Sequence, residues 1–154
     1  MNQEQPYIEI KRQINGGDFA SAGEISSELK NVLQQAGLPP HFIRRVVIAT
    51  YEAEMNVVIH AYHGTYTTSI YSDRIHVVLE DEGPGIPDVD LAFREGYSTA
   101  PAHIREMGFG AGYGLSNMKR CSNQLEVETR VGKGTKVTMT FWLDSSKPGS
   151  SASD

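Results

Sequence analysis

Apolar and polar residues alternate in patterns that divide the chain into short strands and amphipathic helices. Residues 7–11 alternate between apolar and charged side chains, which predicts a half-buried strand that closes in the turn Asn15-Gly16-Gly17. Residues 21–24 have capping-box spacing ahead of apolar residues at helical spacing, and Gly37 ends that run. A first amphipathic helix is therefore predicted between these two signals.

A second helix is predicted over residues 42–62, and it is apolar on nearly all sides, so it should be buried. Further strands are predicted at residues 67–71, 75–79, 125–130 and 136–143, a short helix at 89–94 and a longer one at 115–121. Helices and strands mix without strict βαβ alternation, which favours an α+β fold: a two-layer sandwich of a mixed β-sheet covered on one face by helices. We expect a single domain over residues 1–144 and a disordered tail at 145–154.

Charge and composition exclude several classes of protein. The 154-residue chain carries 14 basic and 19 acidic side chains, a net charge of −5, which gives it no electrostatic reason to bind nucleic acid or an anionic membrane. The sequence shows neither a membrane-spanning stretch nor a signal peptide, which predicts a cytoplasmic protein. Cys121 is the only cysteine, so no internal disulfide can form, and we interpret it as a small apolar residue of the structure.

The second predicted helix places three polar residues on one side. At about 100° per residue, Asn56 lies about 40° and His60 about 80° from Glu52, whereas Glu54 lies about 200° away. Polar groups on a buried helix need partners. They form either an internal hydrogen-bond network or a pocket wall that offers oxygen ligands to hydrated Mg²⁺ and a base to a hydroxyl. His60 and His63 have metal-pair spacing, but the helix end there favours a plain terminus.

The third predicted strand ends in an acidic residue on its apolar side. Residues 75, 77, 79 and 81 alternate onto one face, so Asp81 points to the side on which the apolar residues pack. Gly83 and Gly85 follow in a turn that lets a flat ligand approach the backbone. An Asp-x-Gly-x-Gly sequence is also a common turn, so both interpretations stay open on this motif alone.

Glycines at alternate positions, from residue 108 to residue 114, lead into the helix predicted at 115–121. Backbone amides and the positive end of a helix form an anion site, which suits a triphosphate. The better-known phosphate motifs are absent: Gly132-Lys133 lacks the flanking residues of a Walker A loop, and there is no Gly-x-Gly-x-x-Gly, His-Arg-Asp or Asp-Phe-Gly sequence. Residues 96–100 also miss the Gly-x-Ser-x-Gly motif of hydrolases.

In this order, these elements resemble the GHKL superfamily of ATP-binding domains, which includes gyrase, heat-shock chaperone, histidine-kinase and mismatch-repair ATPases. The resemblance covers about residues 7–143. Four segments look like the family's N box, its two glycine boxes and its closing Gly-Thr motif: Glu52-x-x-x-Asn56, Asp81-x-Gly83-x-Gly85, Gly110-x-Gly112-x-Gly114-Leu115 and Gly132-x-Gly134-Thr135. Each motif alone is weak, but four in the family's order are specific.

The resemblance implies a role for each matching position. Asn56 would bind Mg²⁺, and Asp81 would accept the adenine amino hydrogen, with Thr135 nearby. The nucleotide site would also include the glycines of both boxes and Leu115, with the second box facing the phosphates. Residues 97–109 would form a mobile lid over ATP. This lid departs from the family pattern, because Ala100 follows the Ser-Thr pair and Arg105 stands at a different offset from the glycines.

Within the superfamily the chain is similar to the small bacterial anti-sigma-factor serine kinases, especially the switch kinases of stress-response modules. The sequences Asp-x-Gly-Pro-Gly-Ile-Pro-Asp at 81–88 and Glu-Gly-Tyr-Ser-Thr at 95–99 support this subgroup. A sensor histidine kinase fits less well, since 154 residues leave no room for dimerising helices with a phosphoacceptor histidine. By this resemblance, Glu52 would be the catalytic base that positions a serine hydroxyl of a STAS-domain partner.

The predicted function is therefore an ATP- and Mg²⁺-dependent protein serine/threonine kinase that phosphorylates a STAS-domain antagonist in a partner-switching module. A sigma factor is a further candidate partner, and a homodimer is a candidate assembly. The alternative, from a different class, is a non-catalytic module in which ATP only orders the lid into a surface that binds a sigma factor or another regulator. Nucleotide binding is common to both functions, and phosphate transfer separates them.

Overall fold

The computed structural model describes residues 5–96, 98, 100, 102 and 114–143. In chain order the helices and strands are β1 (Ile8–Asn15), α1 (Glu24–Gln35), α2 (Pro40–His60), β2 (His63–Ile70), β3 (Arg74–Glu82), α3 (Val89–Ala92), α4 (Gly114–Cys121), β4 (Gln124–Arg130) and β5 (Gly134–Trp142). Most of the predicted lid and the predicted tail lie outside the described residues. Among the helices described, none has the length and apolar character needed to cross a bilayer.

The five strands form one sheet in the order β1-β2-β3-β5-β4. Every pairing in it is antiparallel, and β3 lies at the centre between β2 and β5. The buried residues of β3 alternate along the strand, as Ile75, Val77 and Leu79, and they face the helical layer. The predicted α+β two-layer fold is confirmed, with the difference that the sheet is antiparallel rather than mixed.

Helix α2 crosses the sheet in the middle of the helical layer, with α1 and α4 packed on either side of it. Pro40 stands at its first position, where the missing N–H costs no helical hydrogen bond, and the chain becomes extended at Ala61. Half of its residues are buried, as its composition predicts, but Ile48 is 39% exposed. This helix carries most of the polar residues that the sequence singled out.

Strand β2 begins earlier than the sequence pattern indicates. The residues after α2 predict a loop before a strand at 67, yet His63 already pairs with Glu82 of β3, and the Tyr62 N–H donates to the Glu82 carbonyl at 2.8 Å. Gly64 allows this early pairing, because a Cβ there would lie 3.0 Å from Val57 Cγ1 of α2. The helix therefore approaches the sheet closely at the end where the turn after Asp81 begins.

The start of α1 is also different from its prediction. The capping box predicted at residues 21–24 does not form: Gly23 is the N-cap residue, in the left-handed region with φ of 95°, and its cap has no side-chain hydrogen bond of its own. Instead, the Glu54 carboxylate of α2 accepts from the Gly23 N–H at 2.9 Å, the Ser26 N–H at 3.2 Å and the Ser26 hydroxyl at 2.6 Å. A carboxylate at a helix N-terminus is stabilising, so Glu54 ties α1 to α2.

Candidate functional site

Glu52 and Asn56 face the first turn of α4. A Cβ at Gly114 would lie 3.2 Å from Glu52 Oε2 and 3.5 Å from Asn56 Oδ1, so the absence of a side chain lets the backbone of α4 approach both groups. The Asn117 side chain, in the first turn of the same helix, hydrogen-bonds the Glu52 carboxylate. Asn117 is a site residue that the sequence analysis missed, and its signal would have been its spacing of three residues from Gly114.

Burial raises the pKa of the Glu52 carboxyl, and the hydrogen bond from Asn117 offsets part of that rise. The carboxyl therefore takes up a proton at a higher pH than an ordinary glutamate does. A carboxylate with a raised pKa is a better proton acceptor, which suits a general base working near neutral pH.

Glu54 and His60, the other two polar residues of α2 that the sequence pattern singles out, do not join this group. Glu54 points to the opposite side of the helix, as its angle predicts, and is only 2% exposed against α1. His60 is exposed at the last residue of α2, and His63 Nε2 lies 3.0 Å from Glu82 Oε2. Within the described part of the chain no three His, Cys, Asp or Glu side chains are grouped to hold a metal ion.

Asp81 lies at the end of β3 on the face that packs against the helices. Its Oδ1 accepts from the Thr135 N–H of β5 at 3.0 Å, while its Oδ2 has no hydrogen-bond partner among the described residues. Burial raises the pKa of the Asp81 carboxyl, and the Thr135 hydrogen bond offsets part of the rise. One carboxylate oxygen is thus fixed by the sheet and the other is available as an acceptor for a ligand.

Glycines surround Asp81 because neighbouring backbone comes very close. A Cβ at Gly134 would overlap the Asp81 carbonyl oxygen, and a Cβ at Gly83 would lie 3.5 Å from Asp81 Oδ1 and 3.0 Å from Ala61 Cα. The end of α2 therefore lies beside the turn that follows Asp81. Asn56 and Ala61 are five residues apart, or roughly 7 Å along a helix, so α2 connects the Glu52 group with the Asp81 group.

Two glycine turns are bonded to each other next to Asp81. The Gly83 N–H donates to the Lys133 carbonyl at 3.0 Å, and the Gly132 N–H donates to the Pro84 carbonyl at 2.9 Å. The first glycine box and the Gly-Thr motif, which are about 50 residues apart in sequence, thus form one structure. The sequence identified both motifs but not their contact.

Thr129 of β4 also contacts the glycine turns beside Asp81, and no sequence motif predicted this. Its hydroxyl accepts from the Ile86 N–H at 2.8 Å and lies 3.0 Å from the Thr135 hydroxyl. Gly85, with φ of 77°, approaches the Arg130 carbonyl so closely that a Cβ would lie 2.6 Å from its oxygen. The turn at Gly83–Gly85 is therefore held in one conformation from both sides.

Part of the predicted second glycine box can be placed and part cannot. Gly110, Gly112 and Arg105 lie outside the described residues, whereas Gly114 begins α4. Leu115 is buried at 6% exposure in the hydrophobic core. Its main chain, rather than its side chain, is therefore the part that could face a nucleotide.

A match to a family model covers most of this structure. The model of the histidine kinase-like ATPase domain matches residues 17–141, which include α2, the Asp81 turn and α4. The chain therefore belongs to the histidine kinase-like ATPase domain family, and it is an ATP-binding domain.

Relatives narrow the class further. The chain is 28% identical over 118 residues to "Serine/threonine-protein kinase RsbT" of Bacillus subtilis (strain 168), covering 74% of this chain and 83% of that protein. It is 34% identical over 110 residues to "Anti-sigma F factor" of Thermoanaerobacter sp. (strain X514), covering 68% of this chain and 73% of that protein. It is 35% identical over 106 residues to the factor of the same name from Caldanaerobacter subterraneus, covering 66% of this chain and 71% of that protein. The predicted anti-sigma-factor type of serine/threonine kinase, from partner-switching modules, is confirmed at the level of the family.

A solved structure agrees on the fold. The crystal structure of the RsbU and RsbW domains of a Mycobacterium tuberculosis protein superposes with a TM-score of 0.60 at 15% identity, over 90% of this chain. The chain spans about a third of that longer protein, 32% of its length. At this identity the likeness establishes the fold alone.

Proposed function

We propose that this chain transfers the γ-phosphoryl group of Mg·ATP to a serine hydroxyl of a STAS-domain partner. The observation that carries the proposal is the position of the Glu52 carboxylate, half-buried, bonded to Asn117 and directed at Gly114 at the start of α4. An acceptor for a hydroxyl proton thus lies at a helix N-terminus, where phosphate groups bind well. Homology to "Serine/threonine-protein kinase RsbT" supports the same reaction.

The nucleotide would lie along α2 between the two polar groups. Asp81 Oδ2 would accept a hydrogen from the adenine amino group, next to Thr135, and the phosphates would approach the main chain of Gly114. Asn56 Oδ1 is a hard oxygen ligand beside that position, which fits a Mg²⁺ ion that otherwise keeps water and phosphate oxygens. Bound there, Mg²⁺ would supply neutralisation of the phosphate charge.

The phosphotransfer step needs little covalent chemistry from the protein. The serine oxygen forms a bond to the γ-phosphorus as the bond to the β,γ-bridging oxygen breaks, so ADP leaves with the bond's electron pair. The Glu52 carboxylate orients the hydroxyl and takes its proton, while Asn117 holds the carboxylate in place. Glu52 is therefore the proposed catalytic base, and Asn117 a positioning residue.

Three further predictions stay attached to this function: a sigma factor as a second partner, a homodimer as the assembly, and a location in the cytoplasm. Relatives named "Anti-sigma F factor" support the first of them. The non-catalytic binding module remains the rival function, and it differs in the absence of phosphate transfer.

Labelled ATP, incubated with the protein and a STAS-domain protein encoded beside it, tests the proposal. Glu52→Ala should slow serine phosphorylation by about 10²–10⁴, the range for losing a general base, with ATP affinity within a few-fold of the parent. The control is Glu126→Ala, at an exposed glutamate of β4, which should change neither the phosphorylation rate nor the ATP affinity. No transfer by the parent would favour the binding module, and equal loss of binding and transfer in Glu52→Ala would refute the role of Glu52.

A further inference from the structure

A groove opens on the solvent side of the helical layer, between the second half of α1 and the first half of α2. Its volume is about 470 Å³. Apolar and basic side chains both line it. We call the apolar ones, Leu38, Ile43, Val47 and Ile48, the floor, and the exposed cations Lys30 and Arg44 the rim. We call it the α1–α2 groove, and none of the motifs of the nucleotide site contributes to it.

The floor of the α1–α2 groove holds apolar surface that the protein itself leaves accessible. Ile48 is 39% exposed, although it belongs to a helix that is otherwise packed against the sheet, α1 and α4. Val47 and Leu38 are half-buried beside it. Single exposed apolar residues are ordinary, but several that line one concave surface are typical of an interaction site.

The charge around the groove is opposite to that of the whole chain. Between Leu29 and Tyr51 the sequence contains three of the 14 basic residues and none of the 19 acidic ones, in a chain with a net charge of −5. Lys30 and Arg44 of this segment are exposed at the groove, whereas Arg45 turns to the other side of α2 and donates to the Cys121 carbonyl. The groove is therefore a local cationic surface that would attract an acidic ligand.

We propose that the α1–α2 groove docks an amphipathic helix of a partner protein, with an apolar face on the groove floor and acidic residues along its flanks. A groove between two helices accepts the apolar stripe of a third helix. The two cations on the rim favour acidic rather than basic residues on the flanks of that helix. Ile48 and Glu52 are one helical turn apart, so the docked helix lies next to the candidate active site. The proposal concerns binding alone and does not require phosphotransfer.

A designed peptide tests this chemistry directly. The probe is a fluorescein-labelled helix with leucines at helical spacing and glutamates on both flanks, and its partner probe has lysines in place of the glutamates. Fluorescence anisotropy should show that the acidic peptide binds the full chain and that the lysine peptide does not. The double variant Lys30→Glu/Arg44→Glu should weaken binding of the acidic peptide by about tenfold or more, as expected when charges beside a docked helix are reversed. Amide shifts in NMR spectra should concentrate at Val47 and Ile48.

The control variant is Lys11→Glu/Lys119→Glu, which changes the net charge equally at two exposed lysines outside the groove. It should bind the acidic peptide as the parent does. Ile48→Ser, which removes apolar floor without changing charge, should also weaken binding. Failure of the parent to bind the acidic peptide would overturn the proposal, as would equal weakening in the groove and control variants. Groove-dependent binding of duplex DNA or anionic vesicles, without binding of the acidic peptide, would assign the groove to another kind of ligand.

Discussion

Replacement of Glu54 should damage stability far more than replacement of Glu52, although the two glutamates are two residues apart on one helix. Glu54 is 2% exposed, and its carboxylate accepts hydrogen bonds from the start of α1. Glu54→Ala leaves the Gly23 and Ser26 amides and the Ser26 hydroxyl without their acceptor, and Ser26 is buried. The first turn of α1 would lose the acceptor that caps it.

The magnitude follows from these bonds. Two of them are short, at 2.6 Å to the Ser26 hydroxyl and 2.9 Å to the Gly23 N–H, and two are longer, at 3.2 Å and 3.4 Å to the Ser26 and Ile25 amides. A hydrogen bond to a charged group is worth about 1.5–3 kcal/mol, but removal of the carboxylate also removes the cost of burying its charge. We expect Glu54→Ala to lower the free energy of unfolding by about 2–4 kcal/mol.

Urea unfolding, followed by circular dichroism, measures this difference. With a slope of about 2 kcal/mol per molar urea, the midpoint for Glu54→Ala should fall by roughly 1–2 M. Glu52→Ala is the matched control on the other side of α2. It should stay within about 1 kcal/mol of the parent, because burial raises the pKa of the Glu52 carboxyl and so disfavours its charged form in the folded protein.

The reasoning would be refuted if both variants unfolded at the same urea concentration, or if Glu54→Ala lost less than about 0.5 kcal/mol, the usual range of surface substitutions. Glu54→Gln gives a second check on the mechanism. It keeps one acceptor oxygen but presents an NH₂ group to the remaining donors, so its midpoint should lie between those of Glu54→Ala and the parent.

Three other predictions concern residues of the nucleotide site. Asp81→Asn keeps an oxygen that can accept from the Thr135 N–H, so the fold should persist. Its NH₂ group would face the adenine amino group, donor against donor, and calorimetry should show a loss of roughly 1–3 kcal/mol in the free energy of ATP binding. Unchanged ATP affinity would place the adenine elsewhere. Because burial raises the pKa of the Glu52 carboxyl, the phosphotransfer rate should fall on the acid side at a pH above the usual glutamate range, and this limb should be missing from the residual rate of Glu52→Gln. The same raised pKa means that ionised Glu52 costs stability, so Glu52→Gln should gain stability relative to the parent as the pH rises through that pKa.

Local periodicity explains what could be predicted from the sequence. The helical repeat alone separates Glu52 and Asn56 from Glu54, and the structure directs the first two at α4 and the third at α1. The twofold repeat of β3 likewise places Asp81 on the packed side of the sheet, where the amide of Thr135 meets it. These inferences succeed because each depends only on which way a side chain leaves a regular element.

Partners that are distant in sequence explain what could not be predicted. The sequence near Ser21 contains the capping signal of α1, but the acceptor that caps the helix comes from Glu54, about 30 residues later, and no local rule identifies it. Strand β2 starts at His63 because β3 offers Glu82 as its partner, which outweighs the loop signal of the histidine and glycine. Asn117 and Thr129 were missed for the same reason, since each acts on a residue of another element.

One helix links the candidate active site with the proposed docking surface. Helix α2 carries Glu52 toward α4, Glu54 toward α1 and, one turn before Glu52, the exposed side chain of Ile48, so one helix supplies both a wall of the α1–α2 groove and the candidate base. Any sliding of α1 along α2 would stretch the hydrogen bonds to the Glu54 carboxylate, which holds the two walls of the groove at one spacing. A groove fixed in this way needs no ordering when a helix enters it, and the binding energy saved is available for affinity. Loss of Glu54 should therefore weaken docking in the groove even where α1 and α2 remain folded.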